Sequence, residues 1–479
     1  MIFLRHMFLF LGLTLAIGLH VKSLSGQVSE KPNVIVILAD DMGYGDLSCY
    51  NDQSKITTLH LDRLASEGMR FTDAHSGGST CIPSRYSLLT GQFAIRMQPG
   101  PARIRKEQMT IASMARAAGY ETHMVGKWHL GFDVATKDFD YDKPFHGGPV
   151  DRGFDHFFGM HASLDIPPYF YIKNRRAVEA PNRSIEARSS VGGLENWNNI
   201  QGEFWRAGKV SSDFQHSEVT PRFFEQSIQT IKNHATARAA KRKPLLLYLA
   251  LPSPHTPWLP SKNFRGKSKA GMYGDFVLQV DDGIGRIMTA LKENKMDENT
   301  IVIFSSDNGP VWYEKDTKRF GHRSTGPLRG MKFSSYEGGH RMPLIVRWPS
   351  KIQTKSVCDQ TIAFADILPT LADVMKFELP EKSLVDGVSF LSQLKEPNSK
   401  LVREQPIIHD RWTIRSGKFK LVMPRQKRRN KKNAAKPELY NLSSDPSEKT
   451  NIESANPQKV AKLQSELKRF QENISRQKN

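Results

Sequence analysis

Four short apolar segments, each followed directly by a cluster of polar residues, constrain this chain more than any other feature of its sequence. Continuous apolar runs of this length are typical of strands that are covered on both faces of a sheet. Patterns typical of helices, such as residues 59–67 and 276–291, separate the runs. The alternation predicts an α/β fold in which helices cover both sides of a mixed, mostly parallel sheet. The segments are NVIVIL (33–38), YETHMV (120–125), LLLYLAL (245–251) and TIVIFS (300–305).

The polar clusters begin where the predicted strands end. Sites in open α/β sheets form outside the carboxyl ends of the strands. Four segments that are far apart in sequence are therefore expected to face one pocket. The clusters are ADDMGYGD, GKWHLG, PSPHTPW and SDNG.

Two of these clusters carry oxygen ligands. Asp40 and Asp41 follow the first predicted strand, and Asp307 and Asn308 follow the last. Carboxylate and amide oxygens suit Ca²⁺ or Mg²⁺. A pair of aspartates after a strand also occurs as a helix N-cap, but two such clusters at equivalent strand ends favour a metal site.

The other two clusters carry basic side chains. Lys127 and His129 lie two positions apart, so they can project the same way from an extended turn. His255 lies in PHTP, where the flanking prolines stiffen its loop. Taken singly, each of these residues is expected to have a surface or capping role. Only the complete set of residues can indicate whether they form a functional site.

The first 26 residues are typical of a secretory signal peptide, with a basic residue at Arg5, an apolar stretch over residues 7–19 and small residues near the end. Such a stretch is too short for a comfortable membrane span, and no later segment is long and apolar enough. The mature protein is therefore expected to be exported, to the periplasm or beyond the cell, without an integral membrane segment. Three cysteines cannot build a disulfide framework.

The formal net charge is +20, and it falls by two to +18 when Arg5 and Lys22 leave with the signal peptide. A charge of this size favours polyanionic partners. Residues 425–436 hold seven of the basic side chains. This run is either a solvated insertion or a surface that attracts a sulfated polymer, and nucleic acid is not an expected partner.

The segment STCIPSRYSLLTG (79–91) resembles the signature of type I sulfatases, in which Cys-x-Pro-Ser-Arg is followed by a short helix and Thr-Gly. The resemblance is to arylsulfatase-like, secreted bacterial-type enzymes of the alkaline phosphatase superfamily, and it covers nearly the whole mature chain. The family's other blocks follow in its order: ADDMGYGDLSCY, GKWHLG, PHTP, SSDNG, PLRGMKFSSYEGG, MPLIVRWP, FADILPTLADV, DGVSFLSQL and ELYNLSSDPSEKTNI.

The resemblance implies that Cys81 acts as formylglycine and not as a thiol. A formylglycine-generating or anaerobic sulfatase-maturing enzyme would oxidise it to an aldehyde, whose hydrate carries two hydroxyl groups. One hydroxyl attacks sulfur and forms a covalent sulfate ester, and the other then expels sulfate. A serine could form this ester but has no second hydroxyl to release it, so Ser84 cannot replace Cys81.

The resemblance also implies a ligand set. Asp40, Asp41, Asp307 and Asn308 match the metal ligands, and residue 81 completes the shell. Ca²⁺ is the expected ion and Mg²⁺ the alternative.

The remaining catalytic roles follow from the same resemblance. Arg85 matches the arginine that steadies the hydrate and the metal-bound carboxylates. Lys127 and Lys332 match the lysines that hold sulfate oxygens. His255 matches the acid that protonates the leaving alcohol, and His129 the group that draws the proton from the remaining hydroxyl.

Two further segments are candidates for gripping the alcohol part of the substrate. Ser163 and Asp165 lie in GMHASLDIPPYFY, which looks like a pocket-lining segment of some secreted bacterial sulfatases. His322 and Arg323 lie in GHRSTG, where they could meet sugar hydroxyls or a carboxylate. Turn chemistry around the glycines is the alternative for both segments.

Three functions remain open from the sequence. The first is a sulfuric ester hydrolase that acts on a sulfated carbohydrate or polysaccharide. The second is a related formylglycine enzyme that hydrolyses phosphodiesters or phosphonate esters, although Lys332 and His255 favour the sulfatase. The third is a non-catalytic binder of acidic glycans in which Cys81 is not converted.

The predicted organisation is a signal peptide (1–26), a catalytic domain (27–400) and a smaller α+β C-terminal subdomain (401–479). WTIRSGKFKLV (412–422) is expected to enter an antiparallel sheet in this subdomain. An amphipathic helix near residues 457–473 closes it.

Overall fold

The computed structural model describes residues 31–193, 196–237, 243–424 and 436–476. The chain divides into a unit Met1–Lys31 and a unit Pro32–Asn479, and the described strands and helices belong to the second unit. The predicted signal peptide (1–26) and residues 425–435 of the basic run lie outside the described residues.

Strands and helices alternate through the first part of this unit, as the apolar runs predict. The strands are β1 Asn33–Asp40, β2 Met69–His75, β3 Glu121–Lys127, β4 His156–Met160, β5 Ile172–Lys173, β6 Arg176–Ala177, β7 Arg183–Ile185, β8 Gly208–Val210, β9 Leu245–Pro254, β10 Thr300–Ser306, β11 Arg341–Arg347, β12 Ser356–Cys358, β13 Ile362–Ala363, β14 Ile407–Ile408, β15 Thr413–Ser416, β16 Phe419–Val422 and β17 Glu438–Asn441. The helices are α1 Leu59–Ser66, α2 Cys81–Thr90, α3 Ile111–Ala117, α4 Val219–Thr236, α5 Gly271–Glu293, α6 Glu314–Phe320, α7 Glu337–His340, α8 Ile367–Met375, α9 Leu391–Lys395 and α10 Pro457–Arg476.

The largest sheet has the strand order β12-β2-β11-β10-β1-β9-β3-β4-β5-β6, and β13 also pairs with β2. β1 runs parallel to both β9 and β10, and β3 runs parallel to β9 and β4. β11 is antiparallel to its neighbours β10 and β2. The sheet is therefore mixed with a parallel centre, and the predicted α/β class is confirmed.

Helices cover both faces of this sheet. In β1, Val34 and Val36 belong to one apolar core while Ile35 and Ile37 belong to the other, because successive side chains of a strand point to opposite faces. The first core includes side chains of α2, α3 and α8, and the second includes side chains of α1, α4 and α5. Since β1, β3, β9 and β10 are parallel, their carboxyl ends lie at one edge of the sheet.

A smaller antiparallel sheet of strands β14 to β17 follows in the C-terminal part and packs against α10. Val460, Leu463 and Leu467 of α10 are buried at helical spacing. The predicted antiparallel subdomain is confirmed. Phe93 and Ala363 of the larger part belong to the same core, and the boundary after residue 400 stays a prediction.

Across the ranges that the structure describes, no helix combines the length and the apolar character needed to cross a membrane.

Candidate active site

Two adjacent strand ends place four oxygen-bearing side chains together. β1 ends at Asp40, and the next residue, Asp41, has a left-handed backbone with φ of 64°. β10 lies beside β1 with Ser306 opposite Ala39, so Asp307 and Asn308 leave the sheet next to Asp40 and Asp41. The Asp41 amide donates a hydrogen bond to Asp307 Oδ1 at 3.2 Å. The two predicted metal-binding clusters therefore meet.

Cys81 is the first residue of α2, and its Sγ donates to Asp40 Oδ1 at 3.4 Å. Thr80, which precedes the helix, is extended, and Gly91, which follows it, adopts the left-handed conformation that glycine favours. The side chain of Cys81 is buried. The signature helix thus presents the cysteine to the carboxylates at the strand ends.

Arg85 lies one turn after Cys81 and ties the ends of three strands together. Its Nε donates to Asp307 Oδ2 at 3.0 Å, its Nη1 to the Lys127 carbonyl at 3.1 Å and its Nη2 to the Leu251 carbonyl at 3.3 Å. The guanidinium is fully buried. Its planar fork suits this use, because it offers five donors in fixed directions.

Two buried lysines complete the charge pattern. Lys127 Nζ donates to Asp40 Oδ2, and it also donates to Ser163 Oγ at 3.1 Å. Lys332 Nζ lies 2.7 Å from Asp41 Oδ1 and 3.8 Å from Cys81 Sγ. The cysteine therefore lies between a carboxylate and an ammonium group.

These neighbours decide the ionisation of the buried groups. Burial raises the pKa of Asp40, but Lys127, His255 and Arg85 together outweigh burial and hold that pKa well below its usual range. Burial raises the pKa of Asp307 to about 7, and the Asp40 carboxylate adds to this rise. Burial alone would lower the pKa of Lys127, yet the Asp40 charge raises it, so the lysine stays cationic.

The two predicted catalytic histidines differ in their surroundings. His255 Nδ1 donates to the Thr256 carbonyl at 2.7 Å, and its Nε2 lies 3.7 Å from Asp41 Oδ2. His129 has a left-handed backbone with φ of 57°, and its buried Nδ1 has no hydrogen-bond partner among the described residues. Burial, followed by the Lys127 charge, holds the pKa of His129 well below its usual value. Its imidazole is therefore neutral.

The donor set fits a divalent cation. Asp40, Asp41, Cys81 and His255 each offer a ligand atom within 4.8 Å of the others. Asn308 Nδ2 donates to Asp41 Oδ1 at 2.6 Å, while the buried Asn308 Oδ1 has no partner in the described part of the chain. A buried amide oxygen without a donor beside ionised carboxylates is a hard-ligand position that Ca²⁺ or Mg²⁺ would satisfy.

The predicted substrate residues fall in different places. Ser163 is buried, with Oγ 3.3 Å from His255 Nδ1, and Asp165 Oδ1 lies 4.0 Å from the same nitrogen. His322 is buried away from solvent, with Nε2 2.8 Å from Asp46 Oδ1 and Nδ1 accepting from the Lys55 amide. Arg323 is exposed, and its Nε donates to the Gly326 carbonyl. Within the described ranges, neither His322 nor Arg323 hydrogen-bonds to the site.

Two supporting residues were not predicted from the sequence. Arg206 donates to the Asp165 carbonyl at 3.0 Å and pairs with its carboxylate. The Tyr273 hydroxyl donates to the Asp41 carbonyl at 3.0 Å and so supports its unusual backbone. The sequence pattern around Tyr273 indicates only a buried aromatic residue of a helix. Arg206 has no local signal, because its partner lies 41 positions away.

Comparisons with known proteins identify the relatives of this chain. A family model described as Sulfatase matches residues 32–377, and one described as N-sulphoglucosamine sulphohydrolase, C-terminal, matches residues 331–477. An N-acetylgalactosamine-6-O-sulfatase of Bacteroides thetaiotaomicron is 34% identical, over 92% of this chain and 93% of its own. An N-acetylgalactosamine-6-sulfatase of Sus scrofa is 32% identical, over 80% of this chain and 69% of its own. A solved structure described under the metabolism of multiple glycosaminoglycans by Bacteroides thetaiotaomicron has a TM-score of 0.79 and 31% identity, over 92% of this chain and 100% of its own.

Proposed function

The chain belongs to the sulfatase family and is a sulfuric ester hydrolase, and we propose that it releases the 6-O-sulfate of an N-acetylhexosamine in a sulfated carbohydrate of the glycosaminoglycan type. The names of two relatives, from Bacteroides thetaiotaomicron and Sus scrofa, support this substrate class, since both are N-acetylgalactosamine-6-sulfatases. Export of the mature chain, proposed from residues 1–26, would bring it to such polymers.

One observation carries the catalytic part of the proposal. Cys81 Sγ lies 3.4 Å from Asp40 Oδ1 and 3.8 Å from Lys332 Nζ. A nucleophile here would meet a metal-binding carboxylate on one side and a cation for sulfate oxygens on the other. Conversion of Cys81 to formylglycine by a maturing enzyme of the host supplies the aldehyde hydrate whose second hydroxyl lets sulfate leave.

Asp40, Asp41, Asp307 and Asn308 would hold the divalent cation, with residue 81 completing the shell. Ca²⁺ is proposed, with Mg²⁺ as the alternative, because all the protein donors are oxygens. When bound, the cation supplies positive charge that favours the ionised form of the nucleophile and balances the charge on sulfate.

The lysines and Arg85 act on charge. Lys127 and Lys332 are buried and cationic, so they can bind sulfate oxygens and stabilise the charge that grows on them in the transition state. Because the groups are already in place and poorly solvated, little reorganisation is needed. Arg85 holds Asp40 and Asp307 in position.

The histidines move protons. His255 donates through Nδ1 to Thr256, so its Nε2 faces the site and can carry the proton that the leaving alcohol takes. Ser163 and Asp165 lie on the Nδ1 side and would fix the orientation of this ring. His129 is neutral, so it can accept the proton of the remaining hydroxyl when sulfate is expelled.

The test is a comparison of esters with purified protein that was produced together with a maturing enzyme. Peptide mass across Cys81 reports conversion, and released sulfate is measured with N-acetylgalactosamine 6-sulfate, its 4-sulfate isomer, an aryl sulfate and an aryl phosphodiester. We expect formylglycine and turnover of the 6-sulfate. Preference for the phosphodiester would favour the related phosphodiesterase, and converted protein without turnover of any ester would contradict the proposal.

A second measurement concerns the cation. Chelation with EDTA should abolish turnover and lower the melting temperature, because an ion that binds only the folded state stabilises it. Ca²⁺ should restore both properties at lower concentration than Mg²⁺. The reverse order would favour Mg²⁺.

A further inference from the structure

A cleft of about 550 Å³ opens beside Cys81. Thr80 and Pro83, which flank Cys81 in the sequence, form part of its wall, and so does Phe333, which follows Lys332. Small-molecule pockets typically measure roughly 300–1,000 Å³, so the cleft has room for a sugar unit. The catalytic roles proposed for Cys81 and Lys332 assign no function to this cleft.

Phe333 is exposed in a way that few aromatic side chains of this protein are. The residue is 50% exposed, and the other exposed large apolar side chains in the described ranges are aliphatic. Its backbone is left-handed, with φ of 73°, which is an outlier for a bulky residue. The Phe333 amide donates to the Ser79 carbonyl at 2.9 Å. The ring is therefore held at the cleft by the segment that carries the nucleophile, and such strain tends to occur at functional sites.

Two arginines give the cleft a positive charge. Arg103 is half-buried, Arg411 is exposed, and both line the cleft. No carboxylate of the described residues forms an ion pair with either guanidinium. Planar guanidinium groups bind carboxylates and sulfates through two parallel hydrogen bonds.

Asp410 also lines the cleft, but its carboxylate is already engaged. It accepts from Ser335 Oγ at 3.1 Å and from the Trp412 amide at 2.7 Å. The Asp410 carboxylate therefore already has donors within the protein, whereas the two guanidinium groups have no carboxylate partner in the described part of the chain.

We propose that this cleft binds the acidic sugar unit next to the one that loses its sulfate. The ring of Phe333 would pack against the C–H face of that unit, and Arg103 and Arg411 would bind its carboxylate or sulfate. The inference rests on the proposed function and deepens it, because it makes the preferred substrate an acidic oligosaccharide and not a sulfated monosaccharide.

The test compares two disaccharides and a monosaccharide. All three carry 6-O-sulfated N-acetylgalactosamine. It is the whole of the monosaccharide, it is followed by glucuronate in the first disaccharide, and it is followed by glucose in the second. Arg103→Ala and Arg411→Ala should each raise KM about fivefold for the glucuronate disaccharide, as expected for a partly exposed ion pair. Neither variant should change KM for the other two substrates. Phe333→Ala should raise KM for both disaccharides. The control is Arg105→Ala, because Arg105 is exposed but does not line the cleft.

Calorimetric titration with the desulfated glucuronate disaccharide separates this inference from the proposed function. The wild-type protein should bind it, and the Arg103→Ala/Arg411→Ala variant should bind several-fold more weakly. Binding and KM that are the same in wild type and variants would overturn the cleft assignment even if sulfate is released. Arginine-dependent binding in a converted protein that releases no sulfate from the 6-sulfated substrates would overturn the proposed 6-O-sulfatase specificity and leave the cleft assignment standing.

Discussion

At the scale of single residues, Cys81 occupies a position where a thiol would be a poor nucleophile. Burial raises the pKa of this thiol far above its usual value, and the Asp40 carboxylate acts in the same direction. The thiolate, not the thiol, is the reactive form of cysteine. The site therefore suits a residue that has been converted to another group, which agrees with the formylglycine proposal.

The variant Cys81→Ser should be able to form a sulfate ester but unable to release it, because serine has only one hydroxyl group. We expect no steady turnover and, after incubation with substrate, a fraction of protein whose mass has increased by one SO3 group. Intact mass spectrometry beside a sulfate assay measures both. Sustained sulfate release by this variant would contradict the hydrate mechanism.

Lys332→Ala should lower kcat by about 100-fold, the size of effect seen when one donor to a developing negative charge is removed. If the proposed cation binds beside Asp41, its charge would offset the loss of the lysine, so the melting temperature should fall by only a few degrees. The control is Lys351→Ala, since Lys351 is exposed. Unchanged kcat for Lys332→Ala would remove this residue from the site.

At the scale of elements, three histidines join the large sheet to the C-terminal sheet. His75 Nδ1 in β2 lies 3.2 Å from His340 Nδ1 in α7, and the His340 ring stacks on His409 with centroids 4.0 Å apart. Burial lowers the pKa of all three. Lys420 of β16 donates to Glu337 of α7 at 2.9 Å across the same boundary. This junction is therefore built from neutral imidazoles and a buried ion pair.

The junction predicts acid sensitivity of stability. The folded pKa of each histidine lies below the unfolded value of about 6.5, so the unfolded chain binds more protons below that pH. The contribution of these groups to the free energy of unfolding is fully present above about pH 6.5. It is lost as the pH falls toward the folded pKa. Each histidine changes the slope by at most about 1.4 kcal/mol per pH unit.

His409→Phe keeps an aromatic ring on His340 but removes one of these protonation sites. Its melting temperature should therefore fall less between pH 7.5 and 5.0 than that of the wild type. The control is His146→Phe, because His146 is exposed. The same pH dependence in wild type and His409→Phe would show that His409 titrates alike in the folded and unfolded states.

At the scale of the whole molecule, residues Pro32–Asn479 form one compact unit. The core of the C-terminal sheet takes in Phe93 and Ala365 from the larger part. Glu337 is fully buried and pairs with Lys420 of the C-terminal sheet at 2.9 Å, and at the longer distance of 3.5 Å with Arg341. We therefore expect each of the two predicted parts to depend on the other for its stability.

A chain that ends after residue 400 should not fold cooperatively. It loses Lys420, the cation nearest to the buried Glu337, and breaking a buried ion pair costs about 3–5 kcal/mol, a large share of the roughly 5–15 kcal/mol that stabilises a typical protein. Thermal unfolding of residues 32–400, with and without residues 401–479 added as a separate chain, tests this. A sharp melting transition of the shorter chain alone would contradict the expectation.

The sequence by itself determined the elements and the chemistry. The four central strands could be predicted because continuous apolar runs are a local signal of burial on both faces. The metal and catalytic candidates could be named because parallel strands end at a common edge and the motifs resemble one family. Cys81 and the residues after it form the expected helix.

Only the tertiary structure decided which polar side chains pair with other residues of the protein. His322 follows a glycine in a polar turn, and only the fold brings it to Asp46. Arg206 lies in an irregular segment, and only the fold pairs it with Asp165. Nothing in the sequence distinguishes Phe333 from other apolar residues. Its exposed position at the cleft depends on a left-handed backbone and on the hydrogen bond of its amide to the Ser79 carbonyl. The physical reason is that burial, pairing and cleft shape depend on residues that are distant in sequence, whereas strand and helix patterns are local.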